Sequence, residues 1–239
     1  MDKLRIRYTQ TGRAQWISHL DMMRMLQRAM NRAGIPIKYS EGFNPHAQIS
    51  ILLPLSVGTE SLCQLADIRV REELELATLP QRLTAAMPEG IEVTDVWEEG
   101  EKVAALKWLQ VRCIWAYEED VSLDTLDGVA TLFEGAELIV QRRTKRGEGP
   151  FDLLPHIQNL SFYAEGNRIQ VDCLVSAAEP VVKPELLAKA VAEMPRTWPR
   201  SVSIANAWSS CGRTIKFSAE MAKKGLHPTI FCANILWPA

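Results

Sequence analysis

The stretch from Ser18 to Gly58 constrains the fold most, because it joins a helix, a polar loop and a buried strand without interruption. Ser18 followed three residues later by Asp21 is an acidic variant of the capping box, which predicts a helix that begins at about His19. Gly34 predicts its end, since glycine is common directly after a helix. The chain is therefore expected to build its first domain around this helix.

The predicted helix has two chemically different faces. A spacing of three and four residues places one apolar stripe toward a core. We expect that stripe to contain Leu20, Met23, Leu26 or Gln27, Met30 and Ala33. The opposite face is strongly cationic and polar, and it contains Asp21, Arg24, Arg28, Asn31 and Arg32.

Patterns on either side of this stretch complete a split βαβ unit. Leu4, Ile6 and Tyr8 alternate with polar residues, which predicts a half-buried strand. Further segments predict strands at Ile35 to Tyr39, Ile49 to Leu55, Leu62 to Val70 and Ile91 to Trp97, and a helix at Glu73 to Met87. Such an order is typical of a ferredoxin-like unit, in which two helices cover one face of a four-stranded antiparallel sheet.

The second half repeats this plan after a charged boundary at Glu98 to Lys102. Predicted strands lie at Trp108 to Tyr117, Leu138 to Arg143, Asn167 to Val175 and Val202 to Trp208, and predicted helices at Leu123 to Phe133 and Pro184 to Met194. We treat Thr144 to Leu160 as a basic insertion, Thr214 to Ala219 as a possible sheet extension and Ile230 to Leu236 as an apolar tail. The predicted fold class is α+β, with two tandem ferredoxin-like (split βαβ) domains with antiparallel sheets, at 1–102 and 103–239.

The composition of the 239 residues is that of a soluble globular protein, with 47% hydrophobic and 23% charged residues. No apolar run is long enough to cross a bilayer, and the N-terminus has no signal-peptide pattern, so we expect a cytoplasmic protein without a membrane partner. Five widely spaced cysteines predict reduced, buried thiols rather than a disulfide framework or a metal site. No cofactor is predicted.

Charge is distributed unevenly along the chain. Residues 1–50 carry eight Lys and Arg against three Asp and Glu, residues 51–135 carry six against seventeen, and residues 136–239 carry thirteen against nine. A basic surface contributed by the two ends can attract a polyanion despite a net charge of −2. RNA, as tRNA or rRNA, is therefore a possible partner.

Two groups of basic residues are candidates for RNA contact. The first is the row Arg24, Arg28 and Arg32, with Arg5, Arg7 and Arg13 close in sequence. The second is the basic part of the insertion, Arg142, Arg143, Lys145 and Arg146, next to glycines that allow an anion-binding nest. Arginine suits bidentate phosphate contact. A solvated helix face held by Asp21 explains the first group equally well.

The loop after the first helix contains a second kind of candidate. His19, Asp21, Asn44 and His46 could form an acid/base or ligand site if the fold brings them together. Tyr39 and Phe43 could contact a ligand, and Phe43 could stack on a base or fill a core edge. No GxSxG, Walker A, GxGxxG or HExxH motif is present, which argues against the common hydrolase, nucleotide-binding and zinc-protease classes.

Three separated segments form a distinctive set: SHLD from Ser18, RAMNRAGIPIKYSEGFNPHAQIS from Arg28 and TKRGEGPFDLLPHI from Thr144. In this order they resemble the DUF2344 family of radical-SAM-linked proteins. The resemblance implies a function in RNA modification or translation alongside a radical-SAM protein. Because the chain has no CxxxCxxC motif to hold an iron–sulfur cluster, a separate enzyme would carry that chemistry.

Three functions remain open. The first is an RNA-recognition or adaptor protein that works with a separate radical-SAM modifying enzyme. The second is a stand-alone RNA-modifying enzyme that uses the His19 and His46 region, and the third is a protein-binding scaffold. Whether the chain is an enzyme is uncertain, and an accessory or binding role is favoured.

Overall fold

The computed structural model of the chain describes residues 3–98, 106–117, 119–144 and 147–192, together with the backbone of 229–236. The chain divides into two compact units, Met1–Ala105 and Leu106–Ala239. Each unit pairs antiparallel strands with a few helices, so the predicted α+β class is confirmed.

The first unit follows the order strand, helix, strand, strand, helix, strand. Its elements are β1 (Lys3–Gln10), α1 (His19–Arg32), β2 (Ile49–Ile51), β3 (Glu60–Arg69), α2 (Leu79–Ala86) and β4 (Val93–Glu98). The strands lie in the order β4-β1-β3-β2, and each neighbouring pair is antiparallel. This is the strand order of a ferredoxin-like unit.

The buried face of α1 agrees in part with the predicted one. Met22, Leu26, Ala29 and Met30 are buried, whereas Leu20 is 65% exposed. The predicted Leu26 and Met30 are therefore confirmed, Met23 and Ala33 pack partly buried against the core, and Leu20 is the predicted member that faces solvent. The small side chain of Ala29 lies in the buried stripe, although its weak hydrophobic signal gave no reason to place it there.

Two other predicted elements are shorter than expected. The segment predicted as a strand up to Tyr39 makes only isolated bridges, from Ile37 to Val70 and from Tyr39 to Ala47. The second helix begins at Leu79 after a short 3-10 turn, and a proline occupies its first turn. Proline is compatible with a helix start because it has no N–H to donate, and the residues before the 3-10 turn are not helical.

The sheet face away from the helices is buried around Arg5 in the first unit. Ile6 and Ala66 are cross-strand partners and belong to the core beneath the helices. The adjacent pair therefore lies on the opposite face. There Arg5 is 0% exposed and donates from Nε and Nη2 to the Asp67 carboxylate at 2.7 and 3.1 Å. The predicted half-buried strand placed Arg5 on its exposed face, and this part of the prediction was wrong.

The second unit builds an equivalent sheet and adds a separate hairpin. Its elements are β5 (Trp108–Ala116), α3 (Leu123–Phe133), β6 (Ile139–Thr144), β7 (Gly147–Asp152), β8 (Ile157–Glu165), β9 (Arg168–Ser176), α4 (Glu185–Ala192) and β10 (Thr229–Leu236). The antiparallel sheet has the order β10-β5-β9-β8. Strands β6 and β7 form their own two-stranded ribbon between α3 and β8.

One strand assignment in the second unit was wrong. The predicted sheet strand at Leu138 to Arg143 belongs to the ribbon, and the sheet strand β8 lies partly inside the segment treated as an insertion. Residue Asn159 has a positive φ of 52° near the shift in strand register, and this irregularity breaks the alternation by which β8 could be recognised. The predicted strands at 202–208 and 214–219 lie outside the described residues, and the apolar tail forms β10.

The second unit also carries an ion pair on the face away from its helices. Phe133 of α3 packs against Phe162 of β8, with ring centroids 5.6 Å apart, which identifies the helix-covered face. Because Phe162 pairs with Val171, the neighbouring Asp172 points the other way. Its carboxylate accepts from Arg112 Nε and Nη2 at 2.6 and 3.0 Å.

The described residues contain neither a membrane-spanning helix nor a metal-binding cluster. None of their helices is long and apolar enough to cross a membrane. Within the same part of the chain, no group of three His, Cys, Asp or Glu side chains is placed to hold a metal ion.

Candidate functional site

The start of α1 has the predicted cap. The Ser18 hydroxyl accepts a hydrogen bond from the Asp21 backbone N–H at 3.2 Å and donates one to Asp21 Oδ2 at 2.7 Å. Hydrogen bonds from Ser18 and then from Arg24 lower the pKa of Asp21. The carboxylate is thus occupied by its own helix turn and is not poised as a proton acceptor.

The three arginines along α1 have different surroundings. Arg24 donates to Asp21 at 3.1 Å in an exposed pair, which contributes little to stability. Arg28 is exposed and makes no hydrogen bond or ion pair with any described residue. Arg32 donates to the backbone carbonyl of Ala86 at the end of α2.

Arg32 belongs to a reciprocal arrangement between the two helices of the first unit. Arg82 of α2 donates to the carbonyl of Ala33, directly after α1, at 2.7 Å. Each arginine therefore satisfies a free carbonyl at the C-terminal end of the other helix, where a cation is also favoured by the helix dipole. Of the predicted row, Arg32 is a structural residue, and Arg24 and Arg28 remain as contact candidates.

The two arginines of β1 pair with carboxylates, one in a buried pair and one in a partly exposed pair. Arg5 is buried against Asp67. Arg7 donates from Nε to Asp95 Oδ2 on β4 at 2.8 Å, so its charge is already paired. Only Arg13 among the three basic residues near α1 is exposed without a described partner.

The loop 40–46 is fixed at its base and exposes an aromatic side chain. Ser40 N–H donates to the His46 carbonyl, and His46 N–H donates to Ser40 Oγ, each at 2.9 Å. Phe43 at its tip is fully exposed, and the preceding Gly42 has a φ of +120°, which a glycine adopts readily. The possibility that Phe43 fills a core edge is therefore wrong.

Tyr39 connects this loop to α1. Its hydroxyl accepts a hydrogen bond from Gln27 Nε2 at 3.2 Å. The guanidinium of Arg71 lies 5.9 Å from the Tyr39 ring centroid. Gln27 and Arg24 are three residues apart and thus neighbours on the helix surface, so Arg24 lies about one helical turn from the residue that contacts Tyr39. Arg71 was not among the predicted contact residues, because its position directly after a predicted strand gave no indication of this contact.

His19 and His46 do not form a common site. His46 belongs to the loop held near Gln27, while His19 lies eight residues earlier on the same helix. At 1.5 Å per residue this is about 12 Å along the helix axis. No hydrogen bond or ion pair among the described residues connects His19, Asp21, Asn44 and His46 as a set. The structure therefore gives no geometric support for shared acid/base chemistry by these residues.

His19 instead lines a small recess in the first unit. The recess has a volume of about 10 Å³, and the lining residues include Tyr8, Gln10, Gln64 and Pro54. The Tyr8 side chain is 0% exposed and its hydroxyl has no hydrogen-bond partner. The alternation along β1 predicted that Tyr8 is buried. It gave no indication that its hydroxyl lacks a hydrogen-bond partner.

The basic segment of the second unit lies on two paired strands. Its glycines Gly147 and Gly149 lie in β7, paired with β6. Arg142 lies over the Phe151 ring at 4.6 Å and donates to the carbonyl of Val181 at 2.9 Å. Arg143 is exposed, whereas Lys145 and Arg146 lie outside the described residues.

Phe151 is covered by a second ring, since His156 stacks on it with centroids 5.0 Å apart. An open cavity of about 270 Å³ lies beside Arg142 and Phe151. Because the guanidinium and the imidazole each occupy space over the same ring, this aromatic side chain is not free to stack on a base. The hairpin is a weaker candidate than the loop 40–46.

The described cysteines have no reactive character. Cys63, Cys113 and Cys173 are buried and reduced. Burial raises the pKa of Cys63 to about 11 and that of Cys173 to about 12. A nucleophilic cysteine requires a lowered pKa, so these three thiols are structural.

Comparison with known proteins identifies a family but no activity. The profile of a family described as "Uncharacterized protein conserved in bacteria (DUF2344)" matches residues 3–184. A comparison with curated proteins finds no match. A solved structure of an unknown protein from Galdieria sulphuraria is 10% identical and covers 80% of this chain and 89% of its own, with a TM-score of 0.25. CRISPR endoribonuclease Cse3 bound to a 19-nucleotide RNA is 14% identical and covers 84% and 93%, with a TM-score of 0.20. With TM-scores this low, neither similarity supports a conclusion about the fold or the function of this chain.

Proposed function

We propose, from the premise that this chain belongs to the DUF2344 family of proteins conserved in bacteria, that it recognises RNA and serves as an adaptor for a separate radical-SAM modifying enzyme. The proposed RNA surface lies on the first unit and consists of Arg24, Arg28, Tyr39, Phe43 and Arg71. We call it the α1 surface. It takes single-stranded RNA, whose unpaired bases are free to stack and whose phosphates remain accessible.

The observation that carries this proposal is the position of Phe43. A fully exposed aromatic ring loses the free energy that burial would give, about 1.5 to 3 kcal/mol for a side chain of this size. The loop that holds it is closed by two hydrogen bonds between Ser40 and His46, so the ring is presented from a defined base. Aromatic side chains displayed in this way are the stacking partners of unpaired bases.

The charges near the loop support a polyanion over an apolar partner. Arg28 has no described anionic partner, and Arg24 is paired only with one exposed carboxylate. Arg71 adds a guanidinium beside Tyr39. Phosphate contacts supply most of the affinity in sequence-independent nucleic-acid binding, while stacking on the loop aromatic adds to it.

The adaptor part of the proposal rests on the family resemblance and on the sequence. Without a CxxxCxxC motif the chain cannot itself hold the cluster of a radical-SAM enzyme. The separation of His19 from His46 also weakens the stand-alone enzyme alternative. An RNA-binding chain whose described residues form no catalytic constellation fits an accessory role, and a cytoplasmic location accords with such a role.

RNA binding is tested first through charge. We expect the protein to bind a single-stranded RNA of about ten nucleotides with an affinity that falls as the salt concentration rises. The double variant Arg24→Ala, Arg28→Ala should reduce the slope of log K against log salt by about 1.4, because each of the two lost phosphate contacts contributes about 0.7. The matched control is Lys107→Ala with Arg168→Ala, which removes two exposed charges from the second unit. Fluorescence anisotropy across a salt series measures both. Equal losses in the two double variants, or an affinity indifferent to salt, would contradict the α1 surface.

Stacking is tested separately. Phe43→Ala should weaken RNA binding by about 1 to 3 kcal/mol without changing the salt slope, because stacking involves no counterion release. Tyr163→Ala is the matched control, since Tyr163 is a 57% exposed aromatic residue of the second unit. If Phe43→Ala leaves RNA affinity unchanged and instead abolishes co-purification of a protein partner, the scaffold function replaces the RNA function.

The partnership is tested by reconstitution. In extracts of the native host lacking this chain, modification of RNA by the radical-SAM enzyme should fall and should be restored by the wild-type protein. Restoration by the Arg24→Ala, Arg28→Ala variant to the same extent would separate the adaptor role from RNA binding, because the enzyme would then obtain its RNA without the α1 surface.

A further inference from the structure

The β6–β7 ribbon of the second unit has an open cavity of about 270 Å³ on one of its faces. Arg142 and Thr144 of β6 line it and lie directly opposite Gly149 and Gly147 of β7. Cross-strand partners share a face of a sheet, so the two glycines leave the backbone of β7 bare beside two polar side chains. An added Cβ at Gly149 would meet no other residue within 4 Å, so the cavity has room for a ligand group.

Arg142 is held in place where it lines this cavity. Its Nη2 donates to the carbonyl oxygen of Val181 at 2.9 Å, and its guanidinium lies 4.6 Å from the centroid of the Phe151 ring. The other face-to-face contact of that ring is with His156, with centroids 5.0 Å apart. The remaining N–H groups of Arg142 have no partner among the described residues. A guanidinium that is already positioned loses little conformational entropy on binding, which favours a ligand here.

The chemistry of Arg142 selects an anionic oxygen ligand. A guanidinium presents a planar fork of N–H donors that matches the two oxygens of a carboxylate. Residues 139–152 carry four Lys and Arg against two Asp and Glu, which also favours an anion. Glu148 is the acidic member of the lining, and its carboxylate accepts from Lys189 Nζ at 3.2 Å, so its charge is already paired.

Two observations favour a protein carboxylate over an RNA phosphate. Arg142 and His156 both cover Phe151, so a base that accompanied a phosphate would find no open aromatic ring in the lining. The cavity is also small, because sites for drug-sized ligands have volumes of about 300–1,000 Å³. A volume of about 270 Å³ suits one side chain better than a nucleotide.

We propose that the cavity of the β6–β7 ribbon binds the carboxylate of an Asp or Glu side chain of a protein partner. Arg142 donates to both carboxylate oxygens, and the side chain that carries them lies over Gly147 and Gly149. The partner is the separate modifying enzyme, an assignment that rests on the proposed adaptor function. The first unit then binds RNA through the α1 surface, and the second unit binds the enzyme.

The ligand chemistry is tested with two short blocked peptides that differ only in a central glutamate or glutamine among glycines. The NMR signal of the Arg142 Nε–H group in the full chain, assigned by its loss in Arg142→Lys, should shift saturably with the glutamate peptide alone. An equal response to the glutamine peptide, or no response to either peptide, overturns the carboxylate site. If oligo(U) shifts the same signal at lower concentration than the glutamate peptide, the ligand is an RNA phosphate and the protein source is overturned.

The position of the site is tested by filling the cavity. Gly149→Val should abolish the response of the Arg142 signal, because the new side chain occupies the space over β7. It should not lower the thermal midpoint, since an added Cβ meets no other residue within 4 Å and β-branched residues suit strands. Arg143→Ala is the matched control, because Arg143 is exposed and alternation places it on the opposite face of the ribbon.

The outcomes of these variants decide the position. An unchanged response in Gly149→Val, or a response lost equally in Arg143→Ala, overturns the site. If Gly149→Val lowers the thermal midpoint, Gly149→Ala replaces it in the comparison, since it adds only the Cβ that the cavity accommodates. Gly149→Ala should then weaken the response to the glutamate peptide, and an unweakened response overturns the site.

The partner is tested with the purified radical-SAM enzyme and the full chain. Gly149→Val should weaken enzyme binding by about tenfold or more, as expected for the loss of a charged hydrogen-bonded contact, and should leave RNA affinity unchanged. Arg24→Ala with Arg28→Ala should do the reverse. Equal enzyme binding by the wild type and Gly149→Val overturns the inference and leaves the adaptor function intact. Failure of the wild type to bind the enzyme overturns the adaptor function, and the glutamate titration alone then decides whether the carboxylate site stands.

Discussion

The two units carry the same ion pair in different environments. Arg5 pairs with Asp67 between β1 and β3, and Arg112 pairs with Asp172 between β5 and β9, in both cases with two hydrogen bonds across neighbouring strands and away from the helices. The first pair is 0% and 4% exposed, whereas the second is 22% and 23% exposed. The two pairs have equivalent hydrogen bonds, but losing one partner should cost more stability in the first pair, because its charges are almost fully removed from water.

The same difference indicates how each unit can meet a ligand. An RNA-binding sheet of the ferredoxin-like type needs an open face with aromatic side chains. In the first unit the part of that face formed by Arg5, Asp67 and Leu65 is buried, and its exposed part carries the paired Arg7 and Asp95. We therefore place the proposed RNA contact on its helix side.

The largest expected effect comes from breaking the buried pair. Asp67→Ala should lower the free energy of unfolding by about 3 to 5 kcal/mol, because it removes the carboxylate that the buried Arg5 guanidinium contacts through Nε and Nη2. Urea unfolding followed by circular dichroism measures the change. As a control, Arg5→Met with Asp67→Leu should recover most of the stability, since well-packed apolar groups replace the pair without a desolvated charge. A double variant as unstable as Asp67→Ala would contradict this cause.

Breaking the partly exposed pair should cost less. Asp172→Ala is expected to lower the free energy of unfolding by about 1 kcal/mol, since water can solvate Arg112 once its partner is removed. The same urea measurement applies, with Gln170→Ala as a control for the hydrogen bond that Gln170 donates to Asp172. Equal losses for Asp67→Ala and Asp172→Ala would show that burial is not what separates the two pairs.

Acid should weaken the buried pair in a defined direction. Burial alone would raise the pKa of Asp67, but hydrogen bonds and charge from Arg5 and Lys3 hold it below its ordinary value of 3.8. A lowered folded pKa means stability that is present above the unfolded pKa and lost as the pH falls through the folded one. The urea midpoint should therefore drop below about pH 4 in the wild type.

Replacing the carboxylate tests this assignment. Asp67→Asn should be less stable at neutral pH but should lose less further stability on acidification than the wild type, because its amide cannot be protonated in this range. Asp172→Asn serves as the comparison in the second unit. An acid response of Asp67→Asn that matches the wild type would assign the acid sensitivity to other carboxylates.

The smallest expected effect tests the use of the helix side of the first unit. Arg32→Ala should lower the free energy of unfolding by about 0.5 to 1 kcal/mol, since it removes the bond to the Ala86 carbonyl at a helix end. Arg28→Ala removes the same charge without a described contact, so it should weaken RNA binding more and stability less. Chemical unfolding and anisotropy on both variants check the contrast. An equal loss of RNA affinity in the two variants would mean that it does not matter which of the two arginines of α1 is removed.

Much of the first unit could be predicted because its signals are local. The cap at Ser18 and Asp21 fixed the start of α1, and the alternation of Leu4, Ile6 and Tyr8 identified β1. The second unit was harder, because a hairpin interrupts the split βαβ order and β8 contains an irregular residue at Asn159. Periodicity assigns a strand but does not say which strands pair.

The candidate site divides in the same way. Phe43, Arg24 and Arg28 were identified as possible contacts from residue type and position, and they are exposed. The tertiary packing decided two other points. Arg32 caps the end of another helix, and His19 lines a recess and does not lie beside His46. A side chain's partner across 54 residues of sequence cannot be read from its neighbours.

By itself the sequence determined the α+β class, the position of α1, the cationic character of its outer face and the lack of a cluster-binding motif. These follow from local spacing and residue chemistry. Only the tertiary structure decided that Arg5 is buried against Asp67 while Arg112 stays partly exposed against Asp172. The reason is that burial belongs to the assembled sheet, where contacts between distant segments set the dielectric around each charge.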